Sequence, residues 1–268
     1  FLEGHNELAE IDVADITIHL AKFFTIDRGA INGRHGILDN YAAVVIAGPA
    51  KEFSESDKLV LDQYIMNGGK VLWLAEQVEV NADSLATGGT IGLYRPLNIE
   101  DQLFRYGVRI NPEVIQDLDC MVIRVAVSAG EQQQMVPAPW VYYPRLYPSQ
   151  DHPITKNLNR IKGMFVNTID TVGLDPAIRK TVLLTSSAQS RTITPPVIIR
   201  LKEAEQLPDE QQYSKSHLSA AVLLEGVFPS AFRNRMISGL ADGKDFAFRD
   251  SSEETRMIVV ADGDIIRN

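Results

Sequence analysis

One cysteine, Cys120, occurs in 268 residues. That excludes a disulfide within the chain and a zinc site built from several thiolates. A small buried thiol is the expectation that remains. No apolar run approaches the roughly 18–20 residues that cross a bilayer as a helix. Positive charge is also scarce: 26 Lys and Arg stand against 35 Asp and Glu, a formal charge of −9. No basic cluster exceeds two residues, so a nucleic-acid partner is excluded, because such binders concentrate positive charge on one face.

Catalytic signatures are missing as well. There is no Gly-x-Ser-x-Gly elbow and no phosphate loop of Walker or Rossmann spacing. His5, His19, His35, His152 and His217 are scattered, and none has metal-ligand spacing to another. The stretch from Thr185 to Ser190 carries hydroxyls but has no base close by in sequence. No cofactor is expected.

What is present reads as an ordinary folded protein, 45% apolar and 23% charged. Its length suits one large domain or two small ones. Residues 1–268 are expected to form one soluble α/β region of a longer membrane-anchored protein. A division near residue 150 is the variant: an α/β layer over 1–150, and a β-richer part over 151–268 that completes the sheet. Phe1 falls inside a strand pattern and Asn268 just after another, so both ends read as cut.

Along the chain, Phe1 to His5 closes a first strand. Val13, Ile16, Leu20, Phe23 and Phe24 share one face at helical spacing, with Asp12 as the N-cap. Tyr41 to Ala47 is a continuous apolar run, the pattern of a strand buried on both faces. Ser54 and Asp57 form a capping box for a helix whose stripe is Val60, Leu61, Tyr64 and Ile65. Gly68 and Gly69 end that helix, and Lys70 to Ala75 is the next strand. Strand, helix and strand with short links make the βαβ unit of a parallel sheet. Further strands are predicted over 164–168, 181–185, 197–201, 220–224 and 257–261. The charged, Gln-rich segment 202–216 reads as an exposed loop.

In open α/β sheets, ligands bind outside the carboxyl ends of the strands. The residues placed there are Glu3, His5, Gly48, Pro49, Glu76, Asp262 and Asp264, which form the candidate ligand cleft. Asp262 and Asp264 are weak candidates for holding a divalent cation, with His5 or Glu76 assisting. The alternative is that Asp and Gly at strand ends make turns and caps. Trp140, Tyr142, Tyr143 and Tyr147, interleaved with prolines, are candidates for a protein contact. Alternatively they cover a sheet edge within the same chain.

Several blocks carry a resemblance: "FLEGHNEL", "VVIAGPAKEFSESDKLVLDQYIMNGGKVLWLAE", "LFRYGVRIN", "DHPITKNL", "LLEGVFPSAF" and "VVADGDIIRN". Together they resemble the GldG family, the gliding-motility-associated auxiliary components of ABC transporters, and the likeness is spread over the whole chain. It implies membrane segments outside this sequence, permease and ATPase subunits as partners, and a soluble domain on the periplasmic side. It also implies a class I glutamine amidotransferase-like or flavodoxin-like fold, mostly a parallel sheet with flanking helices and a β-richer second half. Such a fold would here lack its nucleophile, because Leu74-Ala75 runs into Glu76-Gln77-Val78 with no Cys or Ser. A non-catalytic accessory role follows from that. A metal-dependent hydrolase at Asp262 and Asp264 and a solute-binding module are the rival readings.

Overall fold

A computed structural model describes residues 1–85, 87–129, 132–236 and 247–268. Strand β1 (Leu2–Glu3) pairs in parallel with β2 (Gly29–Ala30), across a 3-10 turn over Glu10–Val13 and helix α1 (Ala14–Leu20). Asp12 is not an N-cap: it lies inside the turn, and its carboxylate accepts the Ala9 N–H at 3.2 Å. The apolar face expected on this helix does not become core. Val13 is buried, but Phe23 and Phe24 lie beyond the end of α1 and are 81% and 59% exposed.

Strand β3 (Ala43–Ala47), helix α2 (Glu55–Met66) and strand β4 (Lys70–Leu74) form the expected parallel unit. The Ser54 hydroxyl accepts the Asp57 N–H at 3.1 Å and donates to the Asp57 carboxylate at 2.9 Å. At the other end Gly68 takes φ +87°, a conformation open to glycine at little cost. The predicted stripe on α2 is too narrow. Ten of its twelve residues are buried, among them Lys58 and Asp62, because a second helix and the turn around Ser230 cover its outer side.

Short elements follow: β5 (Val78–Glu79), α3 (Ala82–Leu85), β6 (Gly89–Tyr94) and α4 (Glu100–Tyr106), the helix that covers α2. From there strands dominate. They are β7 (Val108–Asp117), β8 (Cys120–Ala129), β9 (Gln132–Pro148), β10 (Ile161–Lys162) and β11 (Asn167–Thr171). After them come β12 (Ile178–Thr185), β13 (Ser190–Ile193), β14 (Val197–Arg200), β15 (Ser219–Gly226) and β16 (Thr255–Val260). Within 202–216 the chain makes two 3-10 turns and buries Ala204 and Tyr213, so part of that segment is anchored.

The central sheet runs β10-β9-β12-β15-β16-β4-β3, with β8 also paired to β9. Only β3 with β4 and β4 with β16 are parallel in it. Two three-stranded antiparallel sheets, β11-β7-β13 and β14-β6-β5, pack beside it. This overturns the expected mostly parallel α/β fold, flavodoxin-like or amidotransferase-like: strand makes up 38% and helix 16%. The reason is connectivity. Parallel neighbours need a crossover of a dozen or more residues, usually a helix, and among the described residues no α-helix follows Tyr106.

One face of the central sheet packs Ile46, Trp73, Val222 and Val259 against Leu61, Ile65 and Tyr106 of α2 and α4. The opposite face buries Leu74, Leu183, Leu223 and Val260 with Ile115 and Val166. A third cluster gathers Trp140, Tyr142 and Phe165 with Val114 and Ile199.

Candidate functional site

The parallel strands β3, β4 and β16 all end on one side of the sheet. Their register, Ala47 beside Leu74 and Leu74 beside Val260, brings the residues after each strand together. Gly48, Glu76 and Asp264 therefore line one cleft of about 730 Å³, with Arg95, Lys162 and Arg267. Gly48 has φ +60°, and a Cβ there would sit 3.1 Å from Leu8. Gly263 is needed for close approach: a Cβ would lie 2.4 Å from the Glu76 carboxylate and 2.8 Å from the Gly48 Cα.

Hydrogen bonds within the chain occupy the carboxylates here. The Gly263 N–H and the Arg95 guanidinium both donate to Glu76, the latter at 2.9 Å. Asp262 is fully buried and accepts the Met164 N–H at 2.9 Å and the Asp264 N–H at 3.0 Å, one on each oxygen. Asp264 pairs with Arg267 at 3.0 Å, and Arg267 reaches Asp12 at 3.3 Å.

Burial pushes the Glu76 carboxyl above its ordinary range against the pull of Arg95, and the charge of Asp264 adds to the rise. Burial lifts Asp262 well above the usual carboxylate range, and the neighbouring charge of Glu76 lifts it further. Both effects favour the neutral acid.

Glu3, His5 and Pro49 do not line this cleft. His5 is buried, its ring stacked on Phe53 at 3.7 Å and placed between Glu7 at 3.2 Å and Asp57 at 3.3 Å. It therefore belongs to the start of α2. Glu3 is exposed and faces Arg28 at 3.3 Å, and Pro49 is buried. Among the described residues, no group of three or more His, Cys, Asp or Glu is arranged to hold a metal ion. Asp262 and Asp264 are adjacent, but Asp262 faces the interior with both oxygens engaged.

The position where a nucleophile would stand is also closed. The Gln77 N–H donates to Asn167 Oδ1 at 2.6 Å, and its side chain donates to Glu100 at 2.9 Å. The hydroxyl segment is tied to a carboxylate: Ser187 donates to the buried Asp117 through its Oγ at 2.5 Å and its N–H at 2.7 Å. Sequence reading missed Arg95, Asn167 and Asp117 as partners of these sites. Of the ion pairs at the cleft, Asp264 with Arg267 joins residues three apart in sequence, whereas Glu76 with Arg95 spans 19.

The aromatic segment, β9, packs within the chain. Trp140 and Tyr142 are buried with ring centroids 4.9 Å apart, and Tyr143 packs edge-on to Phe165 at 5.3 Å. Tyr142 donates to Glu203 at 3.0 Å, and Arg160 lies over the Tyr147 ring at 4.4 Å. Trp140 and Tyr142 are thus unavailable to a partner while the fold is intact.

The fold and cleft define a β-rich domain whose strand-end carboxylates are held by its own donors. The chain belongs to the family described as an ABC-type uncharacterized transport system, whose profile matches residues 1–268. It is an auxiliary component of such a system. No curated protein matches it. Among solved structures, the mmIFT52 N-terminal domain is similar in fold, with a TM-score of 0.54 and 13% identity. That likeness covers 100% of this chain and 87% of the other. No helix among the described residues is long and apolar enough to cross a membrane.

Proposed function

We propose that the protein is a non-catalytic auxiliary component of an ABC transport system linked to gliding motility. It acts by binding the permease, another envelope protein or the transported ligand at the carboxyl-end cleft. In this reading the domain is held at the inner membrane by segments outside this sequence, stands on the periplasmic side, and works with separate permease and ATPase subunits. The observation that carries the reading is the state of the cleft: Glu76, Asp262 and Asp264 are each engaged by donors of the same chain. Groups held in this way shape a surface better than they perform acid–base or metal chemistry.

The volume of the cleft, about 730 Å³, supports a second reading as a solute-binding module, since small-molecule sites fall in the range of roughly 300–1,000 Å³. The test is co-purification of the full-length protein from its own membranes. Recovery of the neighbouring permease and ATPase, weakened by an Arg95→Glu change in the cleft, is expected. A protein that never associates with either subunit would sink the proposal.

A further inference from the structure

The sheet β14-β6-β5 has an inner and an outer face. Val78, Thr90 and Ile199 point inward and are buried, Val78 and Ile199 within the third core cluster. Alternation along each strand then turns Ile91, Leu93 and Ile198 outward, where each is more than half exposed. Ile91 stands directly opposite Ile198, and Leu93 opposite Glu79. The solvated face of an antiparallel sheet normally carries polar residues, so three aliphatic neighbours leave an apolar patch open there.

Charge frames the patch. Arg200 stands opposite Gly89 at one end, and a Cβ at Gly89 would lie 3.5 Å from the Arg200 Cγ, so both belong to the outer face. Glu79 stands at the other end, on the strand along the opposite side of β6. Both charged residues are exposed, and neither makes an ion pair with a described residue. Gly89 and Leu93 are four residues apart on β6, which separates the two charges by about 14 Å along the strands at roughly 3.4 Å per residue. Arg200 and Glu79 thus occupy diagonally opposite corners, with the aliphatic residues between them.

We propose that this face binds a second copy of the chain. One positive and one negative corner make the face complementary to itself. A two-fold axis in the plane of contact, crossing the line from Arg200 to Glu79 at its middle and at a right angle, sets Arg200 of each copy on Glu79 of the other. The same rotation lays the aliphatic patches on each other. Three half-exposed aliphatic side chains offer roughly 300 Å², below the roughly 800 Å² per partner of a standard interface, so the pairing is weak and depends on concentration. Of the residues that form the face, Glu79 also borders the carboxyl-end cleft.

The test follows self-association of the full-length protein by sedimentation velocity at rising concentration. Wild type is expected to shift from monomer toward dimer. Glu79→Arg leaves two positive corners and Arg200→Glu two negative ones, so each variant alone should associate about tenfold more weakly. An equal mixture of the two variants should associate as well as wild type, because every corner then meets its opposite charge. That recovery also separates self-association from any effect of Glu79 on the cleft. Ile91→Thr keeps the β-branched shape that suits a strand and should weaken association by a similar factor. Melting temperatures check the fold of each variant, and if Ile91→Thr lowers its own, the charge variants decide. Wild type that stays monomeric at the highest concentration overturns the proposal. So does a mixture no stronger than the single variants, or a stably folded Ile91→Thr protein that associates like wild type.

Discussion

The Tyr106 hydroxyl on α4 donates to the Asp62 carboxylate on α2 at 2.8 Å, and neither residue is exposed. Asp62 also accepts from the Ser230 hydroxyl and the Ala231 N–H, each at 2.7 Å, and from Gln63 at 2.9 Å. One carboxylate therefore joins two helices and a distant turn. Burial raises its pKa, and its four donors oppose the rise.

Asp62→Ala leaves the Tyr106 and Ser230 hydroxyls and the Ala231 N–H without an acceptor. At roughly 1–3 kcal/mol per orphaned group, the loss should reach about 3–5 kcal/mol. Tyr106→Phe keeps the other three donors and should cost about 1–2 kcal/mol. Urea unfolding of both variants checks the order. Equal losses would mean that the carboxylate does not organise the cluster.

Asp262 gives a dependence on pH. Its pKa in the folded protein lies above its unfolded value of about 4, so folding favours the protonated form. The stability it contributes is present at acid pH and is lost as pH rises through the folded pKa. Asp62, Glu76 and Asp117 are displaced in the same direction. Glu76→Gln removes a neighbouring negative charge, so the Asp262 titration should move down in pH. Carboxyl-carbon NMR on both proteins measures it. Titration of Asp262 in the ordinary range in the wild-type protein would refute the assigned coupling.

Local signals made one part of the fold legible. Ser54 with Asp57 marks the start of α2, Gly68 marks its end, and the apolar runs on either side become the parallel pair β3 and β4. Because β16 joins β4 in parallel, the rule for strand ends also placed Gly48, Glu76 and Asp264 together. The rest depended on contacts far apart in sequence. Glu76 finds Arg95 at 19 residues, His5 finds Asp57 at 52, and Gln77 finds Asn167 at 90. Apolar segments such as 181–185 and 220–224 specify strands without specifying their neighbours, so the antiparallel order of the second half was not readable. α1 misled because helical spacing reports a face, and of the five residues on it Val13 is buried, Ile16 and Leu20 are half-buried, and Phe23 and Phe24 are exposed.

Gly263 should tolerate no side chain. A Cβ would meet the backbone of Gly48 at 2.8 Å, which cannot be relieved by turning a side chain, as well as Glu76 at 2.4 Å. Gly263→Ala should cost about 1–3 kcal/mol, the usual range for overpacking. It should also weaken whatever binds the cleft, by moving Glu76 away from Arg95. Gly29→Ala, where a Cβ meets nothing within 4 Å, is the control and should stay within about 0.5 kcal/mol of wild type. Matching stabilities in the two variants would contradict the close approach.

Trp140 separates packing from recognition. It is 1% exposed on β9, against Tyr142 at 4.9 Å and Tyr143 at 6.4 Å. Trp140→Ala should therefore lower stability by about 3–5 kcal/mol, as expected for a large aromatic removed from a core. Trp140→Phe should cost less, because most of the volume is kept. An exposed interface anchor would behave in the opposite way: truncation would leave the unfolding midpoint in place and abolish association with a partner. Measuring urea midpoints alongside permease co-purification for both variants distinguishes the two. A Trp140→Ala protein as stable as wild type would return β9 to the role of a contact surface.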